Sequence, residues 1–125
     1  MTWTLAHLIQ IIIAGGLLNV WLLRFKKPTP YRGGSAKTII EEFSNYGLPS
    51  WFSYVIGALK VSSALLLIAG IWIPEVVLPI SILVSSLMIG AIVMHLKIND
   101  PLIKSLPALL VLILGITLII MTLPN

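Results

Sequence analysis

Five polar residues of this chain have side chains that could hold a ligand: Lys60, Asn19, His95, Glu42 and Asn99. Lys60 is the most informative, because small and apolar residues surround it on both sides. An ionisable group in hydrocarbon costs on the order of 3 kcal/mol on insertion scales, so it normally faces a helix bundle or a wet cavity. An ammonium or an imidazole there could hydrogen-bond a carbonyl oxygen and stabilise negative charge that develops on it.

Four apolar stretches must position these side chains, and they run approximately over residues 5–23, 51–73, 76–94 and 106–123. Each stretch is long enough to cross about 30 Å of hydrocarbon as a helix. Because 58% of the chain is hydrophobic, no room is left for a separate soluble domain. The sequence therefore predicts an all-α fold, an antiparallel up-down four-helix transmembrane bundle that forms a single domain over residues 1–125.

The loop between the first two stretches contains a further helical pattern over residues 35–46. Its apolar spacing is typical of a short amphipathic helix that lies at the membrane interface or under the bundle. Gly47 and Pro49 are expected to end it. On a helical wheel Glu42 flanks the apolar stripe and Glu41 points farther away, so we expect Glu42 to face inward.

Basic residues indicate how the chain is oriented in its membrane. They lie in the first loop and in the third connection, whereas the second connection and both termini contain no Lys or Arg. The positive-inside rule then puts loops one and three in the cytoplasm and both termini outside. We expect an integral protein of a bacterial plasma membrane. Its net charge of +4 is explained by topology and anionic lipid, so nucleic acid is not an expected partner.

The five polar residues all fall toward the same end of the predicted bundle. Lys60 lies about nine residues into its helix, roughly 13 Å from the cytoplasmic end, so its side chain does not easily reach water. Its helical neighbours include Gly57, Ser63 and Ala64, whose small side chains let another helix approach closely. We hypothesise that Lys60, Asn19, His95, Glu42 and Asn99 converge on one pocket that faces the cytoplasm.

Structural roles are the alternatives for three of these residues. Lys60 could be a cation that holds the bundle in register, and the sequence favours neither this structural role nor the functional one. Asn19 could be an interhelical hydrogen-bonding group, which is the commoner role of an isolated intramembrane asparagine. His95 could be a boundary histidine with one side in water.

Several kinds of chemistry are excluded by composition and spacing. The chain has no cysteine, which removes disulfides, dithiol redox chemistry and thiolate metal sites. His7 and His95 are expected at opposite ends of the bundle, roughly 25 Å apart, so they cannot hold a haem between them. We predict no metal site and no catalytic residue. No cofactor is predicted either, although a quinone is left open.

A set of short motifs resembles a known family. In order, they cover residues 14–19 (Ala-Gly-Gly-Leu-Leu-Asn), 42–49 (Glu-Phe-Ser-Asn-Tyr-Gly-Leu-Pro), 57–60 (Gly-Ala-Leu-Lys), 65–68 before Gly70, and 90–95. In this order and spacing the chain resembles the DoxX and DoxX-like small membrane proteins over nearly its whole length. The resemblance implies a four-helix transmembrane fold. For some members it also implies a part in quinone-coupled oxidation of sulfur compounds, as subunits of larger complexes.

Three functions follow as hypotheses. The leading one is an accessory or ligand-binding membrane subunit that is not an enzyme on its own. The second is a quinone-binding subunit of a membrane oxidoreductase complex, whose membrane or peripheral redox partner supplies the electron carrier. The third is a small dimeric transporter of neutral or anionic solutes, since the buried charge is positive. The lipid bilayer is a partner in each case, and a homo-oligomer is a further expected assembly.

Overall fold

The computed structural model describes residues 4–26 and 31–124, and within these ranges the chain is all-helical, with no strand. This confirms the predicted helical class and its four long apolar helices. The helices are α1 (Leu5–Leu18, continued directly by a π-helix, Asn19–Leu23), α2 (Ile39–Asn45), α3 (Ser50–Ala69), α4 (Val77–Lys97) and α5 (Leu106–Thr122). Short 3₁₀ turns at Pro74–Val76 and Leu102–Ser105 lead into α4 and α5.

The four long helices share one apolar core. α1 packs against α3 and α5, and α4 packs against the same two helices. Ile13, Leu67, Val84 and Leu118, one from each long helix, are almost fully enclosed at the centre. Many other Leu, Ile and Val side chains point outward. Such an exterior suits a protein whose solvent is lipid, and each long helix is long and apolar enough to span a membrane.

The helix ends differ from the predicted ones by a few residues, for local reasons. The stretch 51–73 stops being helical at Ala69, because Gly70 begins a series of tight turns in which the Ile71 N–H bonds to Ile68 O. α4 continues to Lys97 and so includes His95 within the helix. α2 is shorter than the predicted 35–46, because Thr38 caps its start by accepting the N–H of Glu41 at 3.1 Å.

The first loop and the third connection meet at one end of the molecule, which we call the loop end. The Gly34 N–H donates to Asp100 Oδ1 at 3.0 Å, and Lys104 Nζ donates to the Gly34 carbonyl. Lys97 Nζ donates to the Tyr46 carbonyl at 2.8 Å. Gly34 has φ +60°, in the left-handed region that favours glycine. These bonds hold both basic loops on the same side of the long helices.

A buried glutamine joins α1 to the other end of α3. The last carbonyls of a helix have no partner within it and need an outside donor. Turn N–H groups satisfy the carbonyls of Leu66, Ile68 and Ala69. The carbonyl of Leu67 is instead bound at 2.8 Å by Nε2 of Gln10, whose side chain is fully enclosed.

The first prediction concerns this bond. Gln10→Met keeps the volume but leaves the Leu67 carbonyl without a donor in an apolar setting. We expect the free energy of unfolding to fall by about 1–2 kcal/mol, measured by thermal unfolding of the detergent-solubilised protein. Ile11→Met, on the outer face of the same helix, is the control and should change nothing. Equal stability of the two variants would contradict a role for the Gln10 bond.

The approach of α1 to α3 at the loop end depends on a glycine. The Trp21 ring lies directly against Gly57, and a Cβ at that position would be 2.6 Å from two ring carbons. Any larger residue must push the ring away. By contrast, a Cβ at Gly90 of α4 meets no described atom within 4 Å outside its own helix backbone and chain neighbours.

The second prediction uses this contrast. Gly57→Ala should destabilise the protein by about 1–3 kcal/mol because it overpacks the α1–α3 contact, and it should shift the fluorescence of Trp21. Gly90→Ala is the same substitution in another long helix with open space around it. Thermal unfolding of both variants checks the prediction, which fails if the two melt alike.

Candidate ligand-binding site

A cavity of about 530 Å³ lies between the long helices and the first loop at the loop end. Its volume is in the range of sites for small organic molecules. The deeper wall is apolar and includes Leu17, Met88 and Val111. The wall nearer the loops is polar and is described residue by residue below.

Four of the five residues singled out from the sequence line this cavity: Asn19, Glu42, Lys60 and His95. Asn99 does not line it. Asn99 lies just beyond the end of α4 in the left-handed conformation with φ 57°, and its N–H bonds to the Leu96 carbonyl. Asparagine tolerates this conformation better than most residues, so its position is explained by the helix end.

Lys60 places its ammonium over the face of Trp21, 5.1 Å from the ring centroid. Its Nζ makes no hydrogen bond and no ion pair with any other residue in 4–26 or 31–124. A cation over an indole is stabilised by about 0.5–2 kcal/mol, depending on desolvation. The three N–H donors of the ammonium are therefore not used by the described protein groups.

The π-helix positions Trp21 and Asn19 beside this ammonium. It closes with the Arg24 N–H bonded to the Asn19 carbonyl at 3.0 Å, five residues back. Such widened turns are rare and often occur at functional sites. The Trp21 ring is buried and packs edge-on against Phe43, with 6.2 Å between the ring centroids. We found no sequence signal for the π-helix.

Glu42 faces the cavity from α2 and is held by two neighbours. Oε2 lies 3.4 Å from Nη1 of Arg32, and Oε1 accepts the hydroxyl of Tyr46 at 2.7 Å. Glu41, by contrast, is exposed and accepts the N–H of Lys37 at 2.7 Å. The helical wheel separated these two acids in the same way. The partner Tyr46 was missed, although its position four residues after Glu42 is one at which helix side chains meet.

His95 continues the polar chain from Tyr46 toward the loop end. Its Nε2 lies 3.5 Å from the Tyr46 hydroxyl, and its Nδ1 lies 2.7 Å from Oδ2 of Asp100. Lys104 Nζ is 3.7 Å from the other oxygen of Asp100. The side chains of His95 and Asp100 are only 6% and 5% exposed. Glu42, Tyr46, His95 and Asp100 thus form one buried chain of titratable groups, the acid–base chain.

Two pKa shifts outside the long helices describe this chain electrostatically. Burial raises the pKa of the Tyr46 hydroxyl, and the nearby charge of Glu42 and the hydrogen bond to it raise it further, so the hydroxyl keeps its proton. Burial alone would raise the pKa of Asp100. The hydrogen bonds from His95 and Gly34, together with the charge of Lys104, outweigh it and hold the pKa below its usual value.

Cations dominate the polar wall of the cavity. Within residues 4–26 and 31–124, four cations line it, against the single carboxylate of Glu42: Arg24, Arg32, Lys60 and Lys104. No group of three His, Asp or Glu side chains that could hold a metal ion occurs in the described part of the chain. The arrangement can accept a molecule with an electron-rich polar end and an apolar remainder.

Comparison with known proteins gives the family. The model of the DoxX-like family matches residues 33–118, well over half of the chain. The uncharacterized protein YdgD of Bacillus subtilis (strain 168) is 29% identical over 109 residues, covering 86% of this chain and 84% of the relative. No solved structure matches. The resemblance seen in the sequence is thereby confirmed, and the chain belongs to the DoxX-like family of small membrane proteins.

Proposed function

We propose that this protein is a ligand-binding membrane subunit, without catalysis of its own, whose ligand occupies the cavity and hydrogen-bonds to Lys60. One observation carries the proposal. The half-buried Lys60 lines the cavity, and its ammonium has no hydrogen-bond or ion-pair partner among the described residues, although desolvating it is costly. A ligand oxygen would complete its coordination.

The neighbouring carboxylate supports a ligand over a purely structural lysine. A lysine that only held the bundle together would be expected to pair with the nearest acid. Glu42, the one carboxylate among the described residues that line the cavity, is bonded to Arg32 and Tyr46 instead. Lys60 is left facing the ring of Trp21 and the cavity.

A quinone is the second candidate ligand. Its ring could stack near Trp21, and its carbonyl oxygens could accept from Lys60 and from His95, which both line the cavity. In that case the chain is the quinone-binding subunit of a membrane oxidoreductase complex, and a partner protein supplies the electron carrier. The apolar deep wall is compatible with a quinone tail.

The proposed setting is a bacterial plasma membrane, crossed by an antiparallel up-down four-helix bundle with α2 as an amphipathic helix at the interface. The first loop and the third connection would be cytoplasmic, and the cavity would face the cytoplasm. Support comes from the basic residues shared by these two segments and from the hydrogen bonds that hold them at one end.

The third prediction tests the ligand. Native mass spectrometry of the gently extracted protein should detect a copurified small molecule, because the cavity is filled in the membrane. Lys60→Met removes the ammonium and keeps an unbranched side chain only one atom shorter, so we expect at least about tenfold less bound ligand, equal to roughly 1.4 kcal/mol. The mass also identifies a quinone, and the same spectra report any homo-oligomer.

Lys37→Met is the matched control, because Lys37 is exposed on the first loop away from the cavity. It should retain the ligand at the level of the unmodified protein. If Lys60→Met and Lys37→Met carry equal amounts, Lys60 has no part in binding and is structural.

The fourth prediction tests the orientation. Since the chain has no cysteine, single cysteines can be added without a background. Ser44 is exposed at the loop end, and Glu75 is exposed in the turn at the opposite end. Each is replaced by cysteine in a separate variant, Ser44→Cys and Glu75→Cys. A membrane-impermeant maleimide should label Glu75→Cys in intact cells and Ser44→Cys only after lysis. The reverse pattern would overturn the proposed topology.

A further inference from the structure

The hydrogen bonds around His95 depend on how many protons its ring carries. Both ring nitrogens face oxygen atoms, Asp100 Oδ2 at 2.7 Å from Nδ1 and the Tyr46 hydroxyl oxygen at 3.5 Å from Nε2. The Tyr46 hydroxyl in turn lies 2.7 Å from Glu42 Oε1. A neutral imidazole has only one N–H to offer, whereas an imidazolium has two.

Two arrangements of these protons give the acid–base chain a consistent set of hydrogen bonds. When His95 is protonated, its two N–H groups donate to Asp100 and to the oxygen of Tyr46, and the Tyr46 hydroxyl donates to Glu42. When His95 is neutral, its N–H stays on the Asp100 side, because that carboxylate is ionised. Nε2 then becomes an acceptor, and it competes with Glu42 for the single proton of Tyr46.

The two arrangements present different charges to the cavity, since His95 and Glu42 both line it. Protonation adds one positive charge at His95 and keeps the Tyr46 hydrogen bond on Glu42. Loss of that proton removes the positive charge and lets the hydroxyl turn away from Glu42. The cavity is therefore more favourable to an anion in the first arrangement.

We propose that the cavity binds an anionic amphiphile together with one proton, which His95 takes up from water. This inference rests on the proposed function and names the chemistry of its ligand. The anionic end meets Lys60 and the other cations of the polar wall, and the apolar chain lies along Leu17, Met88 and Val111.

The charged groups around His95 are consistent with a negatively charged ligand. Lys104 and Asp100 approach it from the third connection, and Lys97 lies two residues further along α4. Arg32 of the first loop pairs with Glu42 of α2, which belongs to the acid–base chain. Arg24, which follows α1, and Lys60 of α3 also line the cavity. These five cations outnumber the two carboxylates, so a further positive charge on His95 is favoured when an anion enters and offsets the excess.

The test uses 1-octanesulfonate, a probe that stays anionic throughout the pH range of the experiment. The protein carries Trp3→Phe, Trp51→Phe and Trp72→Phe, so that only Trp21 reports, and it is held in phosphatidylcholine nanodiscs. Fluorescence titrations give the apparent Kd at several values between about pH 6 and pH 8, where imidazoles change charge. A pH-indicator dye in weakly buffered solution measures proton uptake on binding, and 1-octanol is the neutral control.

We expect octanesulfonate to bind about tenfold more tightly at the acidic end of this range, within the limit of tenfold per pH unit set by one linked proton. Binding should take up a fraction of a proton that is largest in the middle of the range. His95→Gln, which cannot titrate, should abolish both effects. Asp100→Asn removes the charge that stabilises the imidazolium, so it should move the change in affinity to lower pH. Octanol should bind with no pH dependence.

The outcomes separate this inference from the proposed function. If octanesulfonate binds through Lys60 but its affinity is independent of pH, or if His95→Gln and Asp100→Asn both behave as the unmodified protein, proton coupling is overturned. If neither octanesulfonate nor octanol binds and Lys60→Met loses no copurified molecule, the proposed function itself fails. Adding phosphatidylglycerol distinguishes the source of the anion: competition with octanesulfonate assigns the site to a lipid headgroup, and pH-dependent binding without competition assigns it to a soluble amphiphile.

Discussion

The burial of one ammonium group among four apolar helices is the constraint on which the rest of this structure depends. Placing Lys60 there costs on the order of 3 kcal/mol or more, and the contact with the face of Trp21 offsets part of this cost. That contact in turn requires Gly57, because no larger residue leaves room for the indole. The remainder is left for water or a ligand in the cavity, because Nζ has no hydrogen-bond partner among the described residues.

The loop end also contains two largely buried carboxylates, and each is paired with a partner. Buried charges are tolerated where hydrogen bonds and opposite charges compensate their desolvation. Glu42 has Arg32 and Tyr46, and Asp100 has His95 and a backbone N–H. The low pKa of Asp100 follows from this pairing and keeps the first loop attached to the third connection at neutral pH. The same pairing leaves Lys60 without an ion pair among the described residues.

Local rules explain how much of this could be predicted from the sequence. Hydropathy predicted the four long helices, and a lysine within an apolar stretch indicated the cavity. A helical wheel was enough to separate Glu42 from Glu41. The bond between Asp100 and Gly34 joins residues 66 positions apart and depends on how the helices dock. The burial of Trp21 against Gly57 and Phe43 likewise depends on helix docking, because a tryptophan near a helix end looks the same in sequence whether its ring is buried or exposed.

The bond from Gln10 to the last turn of α3 has a consequence for biogenesis. Synthesis delivers α1 to the bilayer before α3 exists, so during that interval the amide has no carbonyl to bind and must remain hydrated or near the headgroups. The bond to Leu67 can form only after α3 has been made. We infer that the packing of α1 is completed by a helix made later, and that the two reach their final positions together.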